Sequence, residues 1–353
     1  MNKMNAQEVS ESVDRADPIT EQRVEGEIFS KSEMQGGSFI RSQFEGCVFE
    51  NVDFREVNFV ETQFERCEFR GCNLINSKAL NSKFSACIFE RTVLSNSQWL
   101  DTALVRSSVK EVTGQGLQLM NCDLTGVLLE NWDVCRINLV GTALADARIS
   151  ACKFEQAAFI DCNTKGLQIE ASGFDTVLFQ KANFDGHDWK GVDLVKVQFY
   201  DGSLVGADFA EVNTGGAGFH NCQMQGAIFL ETKGGYQRYY ACDLTGAAFE
   251  GAELNQSQFT ECNLTSARFR GASLQKSMVV KCNAQRIDFR EVQFQLSQFE
   301  ESHLEDALMS SISCQFAKFE NNIENDKTDW SGTLTTLARP ADEQRNKARG
   351  LEQ

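Results

Sequence analysis

The chain has 353 residues, with 34 Lys and Arg against 50 Asp and Glu, a net charge of −16 and 42% hydrophobic residues. This acidity argues against direct nucleic-acid binding, which needs clustered Lys and Arg. No apolar run reaches the roughly 18 residues that would span a membrane as a helix.

Residues 1–26 are polar and acidic: Glu8, Glu11, Asp14, Asp17, Glu21 and Glu25 outnumber Lys3, Arg15 and Arg23. The stretch lacks the apolar core of a Sec-type signal peptide, so a cytoplasmic location is expected, with export by a dedicated machine left open. Ile19 and Val24 already keep the phase described next. A cap or degenerate first coil is therefore expected from about residue 19, with the first dozen residues disordered.

From Phe29 to Phe319 a large apolar residue falls at every fifth position. Of these 59 centres, 52 are Phe, Leu, Ile, Val, Met, Trp or Tyr, and 26 of the 27 phenylalanines lie on them. The position two before each centre is Ala, Cys, Ser, Thr, Val or Gly in 50 cases. A period of five belongs neither to a helix nor to a strand, but it fits a short strand segment followed by a turn. Residues two apart then point inward together, and repetition this regular sets the architecture.

CysAspLeuThrGly at 122–126 and 242–246, AlaAsnPheAspGly at 182–186 and CysAsnLeuThrSer at 262–266 match the pattern small–Asp/Asn–Leu/Phe–polar–Gly. Over residues 27–319 the chain thereby resembles the pentapeptide-repeat proteins. The resemblance implies an all-β, right-handed quadrilateral β-helix of 20 residues per coil. About 15 coils would make a rod on the order of 70 Å long. Residues 1–26 and 320–353 are expected to flank it as caps or tails. Some acidic members imitate DNA and act on a type II topoisomerase such as DNA gyrase, and long Phe-rich members accompany bacterial secreted effectors as adaptors.

Seven centres depart from the rule: Ala79, Gly114, Thr164, Thr214, Gly234, Ala284 and Cys314. Four of them share one side of the coil, expected to be the least well packed. A local bulge is expected at 114. The stretch around Thr214, Gly234, Gly235, Tyr236, an inward Gln237, Arg238 and Tyr240 is the most irregular. It reads either as a recognition spot with exposed aromatics or as a packing defect between flexible corners. Gly166, Gly186, Gly206, Gly226 and Gly246 recur at one corner, where a type II turn requires positive φ.

No chemistry emerges. Eleven of the 13 cysteines occupy the small inward position and read as small hydrophobes. Cys222, Cys242, Cys262 and Cys282 should stack, with parallel Cβ vectors that suit a disulfide poorly. His187 reads as a core histidine with a satisfied ring nitrogen beside Trp189, while His220 and His303 point outward. Asp185, Asp188, Asp193, Asp201 and Asp208 read as a solvated acidic face. No catalytic, cofactor or metal site is proposed, and a convex packed solenoid offers no cleft for catalysis.

The outward columns carry more information. Glu50, Arg70, Glu90, Lys110 and Glu130, then Glu170, Lys190, Glu250 and Arg270, form a charged ladder. The neighbouring column is apolar: Ile40, Val60, Leu80, Leu100, Met120, Val140 and Ile160, followed further on by Tyr200 and Tyr240. Its cover could be a partner protein or second copy, or the chain's own termini through Ile19, Val24, Trp330, Leu334 and Leu337, or it could simply be tolerated. After Phe319 the pattern stops, and the stretch from Pro340 to Gly350 reads as a short helix. The functional expectation is a non-enzymatic protein-binding scaffold, with the DNA mimic as the alternative.

Overall fold

The computed structural model describes residues 1–333 and the backbone of 339–340. It has two units, Met1–Ala182 and Asn183–Gln353. Each is a stack of parallel coils in which residues 20 apart lie side by side, as in Phe39↔Phe59 and Phe219↔Tyr239, with one shift of register near the end of the second unit. Each coil has four sides of five residues, the four-sided β-solenoid that the family resemblance implies, and the fold is all-β but for one short helix.

The core follows the arithmetic of the sequence. Phe44, Phe64 and Phe84 are buried and stack face to face, with ring centroids 4.9 and 4.7 Å apart. In the second unit Phe219, Tyr239 and Phe259 stack at 5.0 and 4.5 Å. The smaller inward position does more than save space. Thr62 Oγ1 donates to the Phe39 carbonyl at 2.8 Å and Ser277 Oγ to the Leu254 carbonyl at 2.7 Å. Cys242 Sγ likewise lies 3.2 Å from the Phe219 carbonyl. Ser, Thr and Cys at this position thus tie each coil to the centre 23 residues earlier. All 13 cysteines are free thiols.

Two kinds of side occur. On some, the centre lies in a three-residue strand such as Gln43–Glu45. On others it precedes a tight turn, as where Val57 N donates to Phe54 O. The turn sides often carry Asp or Asn just before the centre. Asp53 Oδ1 accepts from Arg55 N, Asn73 Oδ1 from Ile75 N and Asp123 Oδ1 from Thr125 N. This side-chain mimicry of a turn explains the Asp/Asn of the repeat. The expected corner glycines have positive φ, 72° at Gly166 and 62° at Gly186.

Four expectations are corrected. The first dozen residues are ordered: Ala6–Asp14 is a helix, with a capping box between Asn5 and Glu8 and a fully buried Val9. No bulge interrupts residue 114. Thr113–Gln115 is a strand in register with Asp133–Cys135, and a Cβ on Gly114 would come within 3.0 Å of Ser95 N. Glycine lets the backbone close in there without a slip. The solenoid also continues past Phe319. Ile323 bridges His303 at the usual spacing of 20, whereas Asp329 bridges Leu308 and Arg339 pairs with Lys318 one residue further on. The extra residue lies near Asn325, whose amide exchanges hydrogen bonds with Asp306, so the phase shifts while the coil persists. Finally, Ile19 and Val24 are core residues of the first coil, so they do not fold back over the apolar column. Trp330 packs edge-on against Phe319. Leu334, Leu337 and the expected helix at 340–350 lie outside the residues whose side chains are described.

Candidate functional site

The apolar column lies in the first unit, on the side formed by Ser38–Ile40, Asn58–Val60 and their successors. Strand alternation buries the centres and turns their flanking residues outward. Pairing places Ile40 beside Val60, Val60 beside Leu80, Leu80 beside Leu100, Leu100 beside Met120, Met120 beside Val140 and Val140 beside Ile160. Leu80, Leu100 and Met120 are 37%, 36% and 43% exposed, and the other four are half-buried by their neighbours. The seven side chains form one uninterrupted apolar stripe. The charged column of the same unit is built for water. Arg70 pairs with Glu68 and, at 3.8 Å, with Glu90, and Lys110 pairs with Glu130 at 2.8 Å.

Tyr200 and Tyr240 occupy the corresponding column of the second unit. His220 stacks on Tyr200 with ring centroids 4.4 Å apart and planes 4° from parallel, and meets Tyr240 at 6.4 Å. Partial burial, then the Arg238 charge, hold the His220 imidazole below its ordinary pKa. The Tyr240 hydroxyl is pushed up, chiefly by its hydrogen bond to Glu261.

The irregular stretch is better packed than its sequence suggests. Thr214 and Gln237 are fully buried. Gln237 Nε2 donates to Thr214 Oγ1 at 3.1 Å and to the Gly234 carbonyl at 2.6 Å, while Ser257 Oγ donates to Gln237 Oε1. The amide thereby links the two small centres, Thr214 and Gly234, of adjacent coils. Gly234 is left-handed at φ 92°, and a Cβ on Gly235 would come within 2.3 Å of the Asn255 carbonyl. Tyr236, Arg238 and Tyr240 face solvent, and Gln256 Nε2 donates to the Tyr236 hydroxyl at 2.7 Å. Tyr239 is different: its hydroxyl is buried and has no hydrogen-bond partner among the described residues.

The remaining polar groups are structural in placement. Asp185 Oδ1 accepts from Ser203 Oγ and Val205 N, and Asp188 Oδ1 from Lys190 N. His187 packs against Trp189 and Phe184, but its Nε2 is buried without a partner among the described residues, contrary to the satisfied ring expected. Burial holds its pKa down. A surface depression of about 390 Å³ is lined by Glu65, Arg66, Lys83 and Arg106 among others, so the first unit is not wholly convex. Among the described residues no helix is long and apolar enough to cross a membrane.

A family model described as a pentapeptide repeat region matches residues 37–113, 133–209 and 236–309. No curated protein matches the chain. Among solved structures, a trypsin-treated form of QnrB1, a plasmid-mediated fluoroquinolone resistance protein, is 14% identical. The match covers 62% of this chain and 88% of that one, with a TM-score of 0.33. HetL, a pentapeptide-repeat protein of heterocyst differentiation regulation from Nostoc sp. strain PCC 7120, is also 14% identical. That match covers 88% and 96%, with a TM-score of 0.21. A mannuronic-acid-specific polysaccharide lyase from human gut microbiota is 8% identical over 99% and 94%, with a TM-score of 0.27. Likenesses this distant carry no information on activity or partner.

Proposed function

The chain belongs to the pentapeptide-repeat family, whose repeat supplies a scaffold, and we propose that this scaffold is a non-enzymatic docking protein whose binding surface is the stripe from Ile40 to Ile160. The observation that carries this is the unbroken ladder of seven apolar side chains turned away from a core that is already full. A face evolved only for solubility would carry ions there, as the charged column does. Contiguous exposed apolar surface of this kind marks interfaces. We place the protein in the cytoplasm, docking along this stripe either a protein cargo such as a secreted effector or a second copy of itself, with Tyr200 and Tyr240 as separate candidate contacts of the second unit.

The test is the double substitution Leu100→Glu with Met120→Lys. Both side chains point outward, so the melting temperature should stay within a few degrees of the parent. Proteins retained in stoichiometric amounts from a host extract should be lost. Retention of the same proteins by both forms would remove the stripe from the function.

A second reading is an acidic surface that engages DNA gyrase in place of DNA, and the net charge of −16 favours it. It predicts inhibition of supercoiling at about micromolar protein, weakened by added salt. No effect at tens of micromolar would end that reading.

A further inference from the structure

The stripe has the same character read from either end. About Leu100, Ile40 is matched by Ile160, Val60 by Val140 and Leu80 by Met120. The columns on either side share this symmetry in part, the exceptions being Glu61 against Gly141 and Lys78 against Gln118. On the corner side Asn81 is matched by Asn121, Arg41 by Asp161 and Glu21 by Lys181. On the other side Asn58 is matched by Asn138, with Gln98 at the middle.

Resting on the docking reading above, we infer that the occupant of the stripe is a second copy of this chain, packed antiparallel about a two-fold axis crossing the face at Leu100. Such an axis runs along the strand direction midway between the two facing sheets and brings every matched pair together. Leu100 meets its own copy, Leu80 meets Met120, Val60 meets Val140, and Ile40 meets Ile160.

The end charges select this orientation over the parallel one. Within one chain Arg41 pairs with Glu21 at 3.4 Å and Lys181 with Asp161 at 3.2 Å, all four exposed. Antiparallel packing sets Arg41 opposite Asp161 and Glu21 opposite Lys181 at both ends, so each charge faces its opposite. Parallel packing, about an axis running along the solenoid, would carry this column to the opposite edge of the face, where Ser38 and Ala158 offer Arg41 and Asp161 no opposite charge, so both pairings would be lost. One facing is unfavourable in the antiparallel arrangement: Asp101 lies beside the axis and meets itself.

The face is small. The eight coil intervals from Thr20 to Gln180 span roughly 38 Å at ~4.8 Å each, and a three-residue strand is about 10 Å wide. On the order of 400 Å² per copy lies at the low end for specific interfaces, so the dimer is weak and reversible.

Cross-linking in a Cys135→Ser background tests orientation directly, because Cys135 is the one thiol that is not buried. Leu100→Cys should form a disulfide-linked dimer under mild oxidation at about 50 µM. Ile40→Cys and Ile160→Cys should each stay monomeric alone but link at least tenfold faster when mixed. Asp101→Asn should shift sedimentation towards dimer by several-fold at equal concentration. If Ile40→Cys links readily to itself, the copies are parallel and the inference is overturned. If no variant links and the parent sediments as a monomer at about 100 µM, the homodimer is overturned. The docking reading then stands or falls separately, on whether Leu100→Glu with Met120→Lys abolishes retention of other proteins.

Discussion

At the scale of single residues, inward and outward positions should respond very differently to change. Phe64 is buried between Phe44 and Phe84, so Phe64→Ala should cost about 3–5 kcal/mol in chemical unfolding, as should Phe59→Ala. Thr62→Val keeps the shape but deletes the bond to the Phe39 carbonyl, and should cost about 1 kcal/mol. Tyr239→Phe should go the other way. Its hydroxyl is buried without a partner among the described residues, and burial drives its pKa well above normal. Removing it should stabilise the protein by about 1 kcal/mol or more. The buried thiols should be inert in the folded state: burial raises Cys72 to about 12 and Cys122 to about 11, and Cys282, held below its ordinary pKa by its hydrogen bond with Cys262, is shielded by its burial. At pH 8 a thiol reagent should therefore label Cys135 first and the rest only as the protein unfolds. The inward assignment was legible from the period of five. The hydrogen bonds that make Ser, Thr and Cys more than space-fillers were not, because their acceptors lie 23 residues earlier and become neighbours only once the coils stack.

At the scale of elements, the N-terminal helix shows what a repeat-centred reading overlooks. Its signature, Asn5 followed by Glu8 and Val9, is a local capping pattern that the acidic composition of the segment concealed. Asn5→Ala should destabilise the helix by about 1 kcal/mol. Val9→Asp should release it from the first coil, read as protease cleavage within 1–15 at unchanged core stability. The alternation between strand sides and turn sides was only partly present in the sequence, because Asp or Asn precedes many turn centres but also strand centres such as Phe59, Val134 and Leu139. It is invisible to a count of hydrophobic positions alone. The one-residue shift near Asn325 hid the continued coil for a related reason. A strict phase test reports an insertion as an ending, whereas the backbone absorbs it in one turn held by the Asn325 and Asp306 side chains. The Gln237 network could not be foreseen either, since it joins Thr214, Gly234 and Ser257 from three successive coils.

At the scale of the whole molecule, an acidic chain presents one uncharged apolar stripe. Two copies at −16 each repel one another at long range. Added salt should therefore strengthen self-association through the stripe by screening that repulsion. Association through charge alone would weaken instead, so the salt response separates the docking reading from the gyrase one. The stripe itself was legible in the sequence, because a fixed register of 20 turns numbering into position. What covers it was not, since an outward residue carries no record of its neighbour. The most direct test is the oxidation rate of Met120, the single methionine of the stripe and 43% exposed, with Met278, 37% exposed in the other unit, as internal reference. The account predicts that Met120 oxidises about as fast as Met278 in dilute purified protein and several-fold more slowly in concentrated protein or host extract. Equal rates for the two methionines under all three conditions would contradict it.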